Sequence, residues 1–241
     1  MEKRKRPPRG DLPEDLRKAI ELAWPNGVVD MLFDADESYF WGVYPKLAKA
    51  FRRMKGAQLA YEHAPEVEPS WSDDSDDDLP DPEPTRSYYL FFVAPEGPEF
   101  AFATEMAPRD EPAVEPVLGT GRTGWSVAVS LVAPFATVTV AEYEAYEDGT
   151  VSEPAIEFNG FVSGERFDIE TGFRERNGEQ PFQKLMKWRG RICAILAKYG
   201  IRVLLPEEWR RPVPWLRLDE DLVPGAENVR VLDAFFFQEL F

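Results

Sequence analysis

Hydrophobic and polar positions alternate most clearly between Thr123 and Leu131, where Trp125, Val127, Val129 and Leu131 are separated by Ser126, Ala128 and Ser130. A two-residue period with one large and one small face predicts a strand. After Pro134 the alternation resumes through Val138 and Val140. It then sets Tyr143 and Ala145 against Glu142 and Glu144, ahead of Glu147-Asp148-Gly149-Thr150. Asp-Gly between two alternating runs is a hairpin signal. This region is expected to form the heart of an antiparallel sheet.

The flanking sequence predicts further elements. Leu12, Leu16, Ile20 and Ala23 recur at helical spacing over 11–24, and Pro25-Asn26-Gly27 stops that helix. Val28 to Phe33 reads as a short strand, and Tyr39 to Phe51 as a second helix whose regular part opens at Pro45. Gln58 to Tyr61 suits a strand. Arg86 to Ala94, with its run Tyr88-Tyr-Leu-Phe-Phe-Val93, suits a strand buried on both faces. Pro95-Glu96-Gly97-Pro98 is expected to turn that strand back into Glu99 to Met106 as a hairpin. Ala155 to Phe161 and Glu165 to Ile169 are expected to extend the sheet.

Phe182, Leu185, Met186, Ile192, Ile195, Leu196 and Tyr199 then trace one face of a long helix terminated by Gly200. Lys184, Lys187, Arg191 and Lys198 stand on its outer side. Pro206 to Arg210 fits one helical turn, and Val229 to Phe237 a final strand. The fold class expected is α+β, a mainly antiparallel sheet of about six to eight strands with two helices before it and one long helix packed on it in two layers. A single domain over residues 11–241 is expected.

Charge changes this picture in two places. The chain of 241 residues has a net charge of −16, but residues 1–55 carry +3, 56–173 carry −21, 174–217 carry +7 and 218–241 carry −5. Residues 1–10, with Lys3, Arg4, Lys5, Arg6 and Arg9, read as a disordered basic tail; such a tail can also serve as a nucleic-acid arm or localisation signal. Residues 65–84 interleave seven carboxylates from Asp73 to Glu83 with prolines and read as a disordered acidic loop. A field dominated by acid repels nucleic acid and membrane surfaces and favours a basic partner.

One cysteine, Cys193, excludes an internal disulfide and a multi-cysteine zinc site. Its helical apolar surroundings predict a buried thiol. No apolar segment has the length of a signal peptide or a membrane span, so a cytoplasmic protein is expected.

Candidate chemistry is sparse. Gly119-Thr-Gly121-Arg-Thr-Gly124 has the spacing of a phosphate-binding loop, yet it follows a proline-rich stretch and opens a strand where such loops open a helix, so a flexible turn is expected. Phe33-Asp34-Ala35-Asp36-Glu37-Ser38 follows a short apolar run and resembles the first motif of the haloacid dehalogenase family, with Ser38 where threonine or valine is usual. The resemblance implies Asp34 as nucleophile and Asp36 as general acid and base, with magnesium screening both. It also implies a parallel sheet alternating with helices. A magnesium-dependent phosphohydrolase is therefore the alternative function; from the residues alone, Asp34 and Asp36 suit a helix-capping turn.

His63, the single histidine, enters the acidic stretch, which is poor geometry for a general base. No catalytic residue, metal ligand or cofactor is assigned. Glu142, Glu144, Glu147 and Asp148 stand out, since alternation places Glu142 and Glu144 on one strand face beside a turn, where like charges need solvent, a cation or a basic partner. The function expected is a non-enzymatic binding protein, such as an inhibitor or an immunity-type protein that neutralises a basic protein partner, with those four carboxylates as the contact.

Overall fold

The computed structural model describes residues 12–29, 37–63, 87–106, 116–152, 154, 169–218 and 229–236, the side chains of 37–41 excepted. The basic tail 1–10, Asp34 and Asp36, the acidic stretch 65–84 and the strands expected within 155–168 lie outside these residues.

In chain order the elements are helix α1 (Glu14–Ala23), strand β1 (Val28–Val29), helix α2 (Glu37–Arg52), strands β2 (Ala57–His63) and β3 (Tyr88–Pro95), a 3-10 turn Pro98–Phe100, and strands β4 (Ala101–Met106), β5 (Val117–Ser130), β6 (Phe135–Tyr146) and β7 (Val151–Ser152). Helices α3 (Ile169–Asn177) and α4 (Glu179–Lys198), strand β8 (Arg202–Val203), helix α5 (Pro206–Trp209), strand β9 (Arg217–Leu218) and helix α6 (Val231–Phe235) follow. The fold is α+β. Among the described residues no helix is long and apolar enough to cross a membrane.

The main sheet is built on β5 and β6, which pair antiparallel from Gly119↔Tyr146 to Val129↔Ala136. The inner half of β5 pairs with β3, from Tyr88↔Ser130 to Val93↔Trp125, and β3 pairs with β2. The outer half of β5 pairs with β4, from Ala101↔Arg122 to Met106↔Val117. Both β3 and β4 run antiparallel to the same strand, so they run in the same direction, one after the other along one edge of β5. The hairpin expected at Pro95–Pro98 is therefore not formed: the prolines and Gly97, at φ 138°, put a jog into one broken strand. At the other edge β7 returns on β6 as a hairpin closed by Gly149, φ 90°, and β8 adds in parallel.

Alternation then sorts the side chains. Tyr89, Phe91 and Val93, Trp125, Val127 and Val129, and Ala136, Val138 and Val140 face one way into a core with Leu47 and Phe51 of α2 and Leu185, Ile192 and Leu196 of α4. Phe51 meets Phe91 edge-on, Tyr44 stacks on Phe91, and the Trp125 indole donates to the Leu185 carbonyl at 3.0 Å. This pins β5 to the middle of α4.

Tyr88, Leu90, Ala128 and Phe135 face the other way into a second core, shared with Leu16, Ile20 and Trp24 of α1 and with Val231, Leu232 and Phe235 of α6. At that end the sheet is covered on both faces, three layers where two were expected. Farther along the same face Phe92 and Ala94 are packed against by Tyr61 and Tyr143 of neighbouring strands, so β3 is buried along its whole length.

Two expectations of strand meet helix among the described residues. Ile169 starts α3 instead of ending a strand. Val231–Phe235 is a helix because the Asp233 carboxylate accepts the Arg230 backbone N–H at 2.8 Å, satisfying an orphan donor of its first turn. Its carbonyls are met in turn by Trp24 Nε1 on Ala234 at 2.9 Å and by Ser130 Oγ on Phe235 at 2.8 Å. A five-residue helix has little stability of its own; these tertiary partners hold it.

The glycine spacing at 119, 121 and 124 falls inside β5 and not in a turn. A β-carbon at Gly121 would come within 2.1 Å of the Phe102 ring, and one at Gly124 within 2.6 Å of the Val93 carbonyl oxygen. These glycines admit the neighbouring strand at the jog. Gly124→Ala is expected to destabilise the fold by about 1–3 kcal/mol, because rigid backbone has to shift. Chemical denaturation should show a lower midpoint with an unchanged slope.

Candidate functional site

Beyond the two cores, the outer parts of β4, β5, β6 and β7 continue as a four-stranded end. On the face that carries the second core, register places Ala101, Arg122 and Tyr143 in one row, and Ala103, Thr120, Ala145 and Val151 in the next. Glu105 and Leu118 form the last row, and the Glu147 backbone N–H donates to the Leu118 carbonyl at 2.9 Å beside them.

Exposure alternates along β4, with Ala101, Ala103 and Glu105 exposed, and along the start of β5, with Leu118 and Thr120 exposed. Leu118 is 56% exposed and Val151 46%, two of the few large apolar side chains so placed among the described residues. A shallow depression of about 460 Å³ lies at this end of the sheet, lined by Ala103, Leu118, Thr120, Ala145 and Glu147 and, from the other face, by Thr104, Gly119 and Tyr146. The centre is thus small and apolar, and the rim holds the carboxylates of Glu105, Glu147 and Asp148.

The four carboxylates singled out from the sequence divide between the two faces. Glu142 and Glu144 do share a face, but it is the opposite one, beneath α3. Glu142 pairs with Arg176 of α3 and also faces the Thr123 hydroxyl at 3.5 Å. Glu144 accepts the Thr104 hydroxyl at 3.0 Å and the Tyr146 phenol. One internal cation, Arg176, and the neighbouring hydroxyls therefore relieve the like-charge repulsion that the sequence left open. Glu147 and Asp148 are exposed in the turn, where the Asp148 carboxylate accepts the Thr150 backbone N–H at 2.8 Å.

The apolar half of the site was not singled out from the sequence. The glycines from Gly119 to Gly124, which flank Thr120, suggest a flexible turn in the sequence. Extending the alternation of Ser126 and Ala128 backwards in phase through Arg122, Thr120 and Leu118 would have placed them on a strand.

Other candidates stay apart. His63 ends β2, opposite Leu90. Cys193 is half-buried on α4, and burial pushes its thiol pKa up, with Arg189 pulling the other way. Among the described residues no group of three or more His, Cys, Asp or Glu could hold a metal. The residues that resemble the haloacid dehalogenase motif follow β1, which pairs with β9 in a separate two-stranded sheet. The main sheet is antiparallel except at β8, unlike the parallel sheet that the resemblance implies. No family model matches the chain, and it has no match among curated proteins or solved structures.

The Tyr146 phenol is held above its ordinary pKa, first by its hydrogen bond to Glu144 and then by burial, against a smaller opposing contribution from Thr104. Ionising the phenol would break that bond and set two anions side by side. Glu144→Gln should bring the Tyr146 titration back down toward that of an ordinary tyrosine while the other tyrosines stay put. A pH titration followed by tyrosine-selective NMR reads this directly; an unmoved Tyr146 resonance would contradict the assignment.

Proposed function

We propose that the protein is a non-enzymatic binding protein whose open sheet end engages a basic protein partner, in the manner of an inhibitor or immunity-type protein. The observation that carries this reading is the exposed four-stranded face, with Leu118 and Val151 bare on it and Glu105, Glu147 and Asp148 at its rim. Interfaces place apolar groups at the centre and polar groups around them. An acidic rim selects a partner rich in Lys and Arg.

Size decides how the work is divided. Three strands about 4.8 Å apart and about six residues long, with a short fourth at the edge, span roughly 300 to 400 Å². A standard interface buries about 800 Å² per partner. The apolar face alone is at most half of that, so the carboxylates around it have to be part of the contact. The −21 charge of residues 56–173 would further speed encounter with a basic surface. A cytoplasmic setting belongs to the same proposal and suits a chain with a single cysteine.

Capture from the native cell on immobilised protein should recover a partner with an excess of basic residues. Leu118→Asp should abolish that capture. Combined Glu105→Lys, Glu147→Lys and Asp148→Lys should slow association by roughly tenfold and flatten its salt dependence. Recovery of acidic proteins alone, or equal capture by the charge-reversed protein, would remove this reading.

A further inference from the structure

The helix layer has the opposite electrostatic character from the rest of the chain. Residues 37–55 and 179–198 hold ten Lys and Arg against two carboxylates, Glu37 and Glu179, in a protein of net charge −16. On α4, Lys184, Lys187, Arg191 and Lys198 follow one another at i, i+3, i+7 and i+14, and all four are exposed. That spacing is one stripe about 20 Å long. On α2 and its last turn, Lys46, Lys49 and Arg53 repeat i, i+3, i+7 and are likewise exposed.

The two stripes meet where Arg191 lies over the Trp188 ring, 4.2 Å from its centre, and donates to the Lys55 carbonyl at 3.4 Å. Lys184 is paired with Glu99 at 2.9 Å and Arg52 with Glu62. Lys46, Lys49, Arg53, Lys55, Lys187 and Lys198 have no ion-pair partner among the described residues. All six are exposed.

From this we infer that the outer face of α2 and α4 is a second docking surface, for a short acidic segment of a protein. Charge complementarity names the class, and the extent of the patch narrows it. The stripe on α4 is about 20 Å long, the reach of roughly six extended residues. Duplex nucleic acid carries a charge every ~1.7 Å and runs on past such a patch, onto the remainder of a chain whose net charge is −16. A short segment ends where the lysines end.

The excess acid elsewhere does not cancel the attraction at contact. The open sheet end lies on the other face of the sheet, beyond a helix layer about 10 Å thick, and the screening length at physiological salt is ~8 Å. Two surfaces of opposite sign on opposite faces allow two partners at once.

Fluorescently labelled octaglutamate is the probe, with a short duplex DNA of equal charge beside it. At about 50 mM salt, where surface charges are only partly screened, the wild type should bind octaglutamate more tightly than DNA, and addition of salt should weaken the complex. Lys49→Glu, Lys187→Glu and Lys198→Glu together should weaken it by about tenfold or more with an unchanged thermal midpoint. Lys→Gln at the same positions should fall between, and serves if the reversed protein does not fold. Wild-type affinity in the Lys→Gln protein, tighter binding of DNA, or no binding of octaglutamate would overturn the inference.

Discussion

The pairing of β5 with β6 is the constraint on which everything else rests. Their register runs unbroken from Gly119↔Tyr146 to Val129↔Ala136, and the link between them, residues 131–134, is short enough to make the pairing local. At about 3.4 Å per residue, the 14 residues of β5 span ~48 Å. The longest helix, α4, has 20 residues and spans ~30 Å. Among the described residues no helix can cover such a ribbon from end to end. One end is therefore buried on both faces, and the other emerges with a bare face.

That length mismatch organises the surface chemistry. At the covered end the aromatic residues of β3 are enclosed from both sides, and the carbonyls of α6 are anchored by Trp24 and Ser130. At the open end Leu118 and Val151 remain in water, bordered by carboxylates. On the far side of the same sheet the helices turn apolar stripes inward and lysines outward. The two faces differ in sign because the chain segments that supply them differ in composition.

Much of this arrangement is legible in the residues. The alternation of Trp125 through Leu131, the Asp148-Gly149 turn, the apolar stripe of α4 and its basic outer face all follow from periodicity, and all are found. The readings that fail do so where a local signal had two outcomes. Pro95 to Pro98 contains the residues of a turn, yet those residues serve equally for a jog, because β5 is long enough to receive both β3 and β4. The apolar run at the C-terminal end suits a strand until Asp233 and the donors of distant elements are seen to hold it as a helix. Gly119, Gly121 and Gly124 look like a loop because the residues that exclude a β-carbon, Phe102 and Val93 among them, lie on other strands.

By itself the sequence determined the class of the fold, the two central strands, the long helix and the uneven distribution of charge, since each is a property of neighbouring residues. Tertiary structure alone decided which carboxylates are engaged and which are open to solvent. Glu142 and Glu144 look like an acidic patch until Arg176, Thr104 and Tyr146 are brought against them. It also decided that Leu118, Thr120, Ala103 and Val151 share one exposed surface. These side chains come from three separate strands, and only the register of pairing carries the information that they meet.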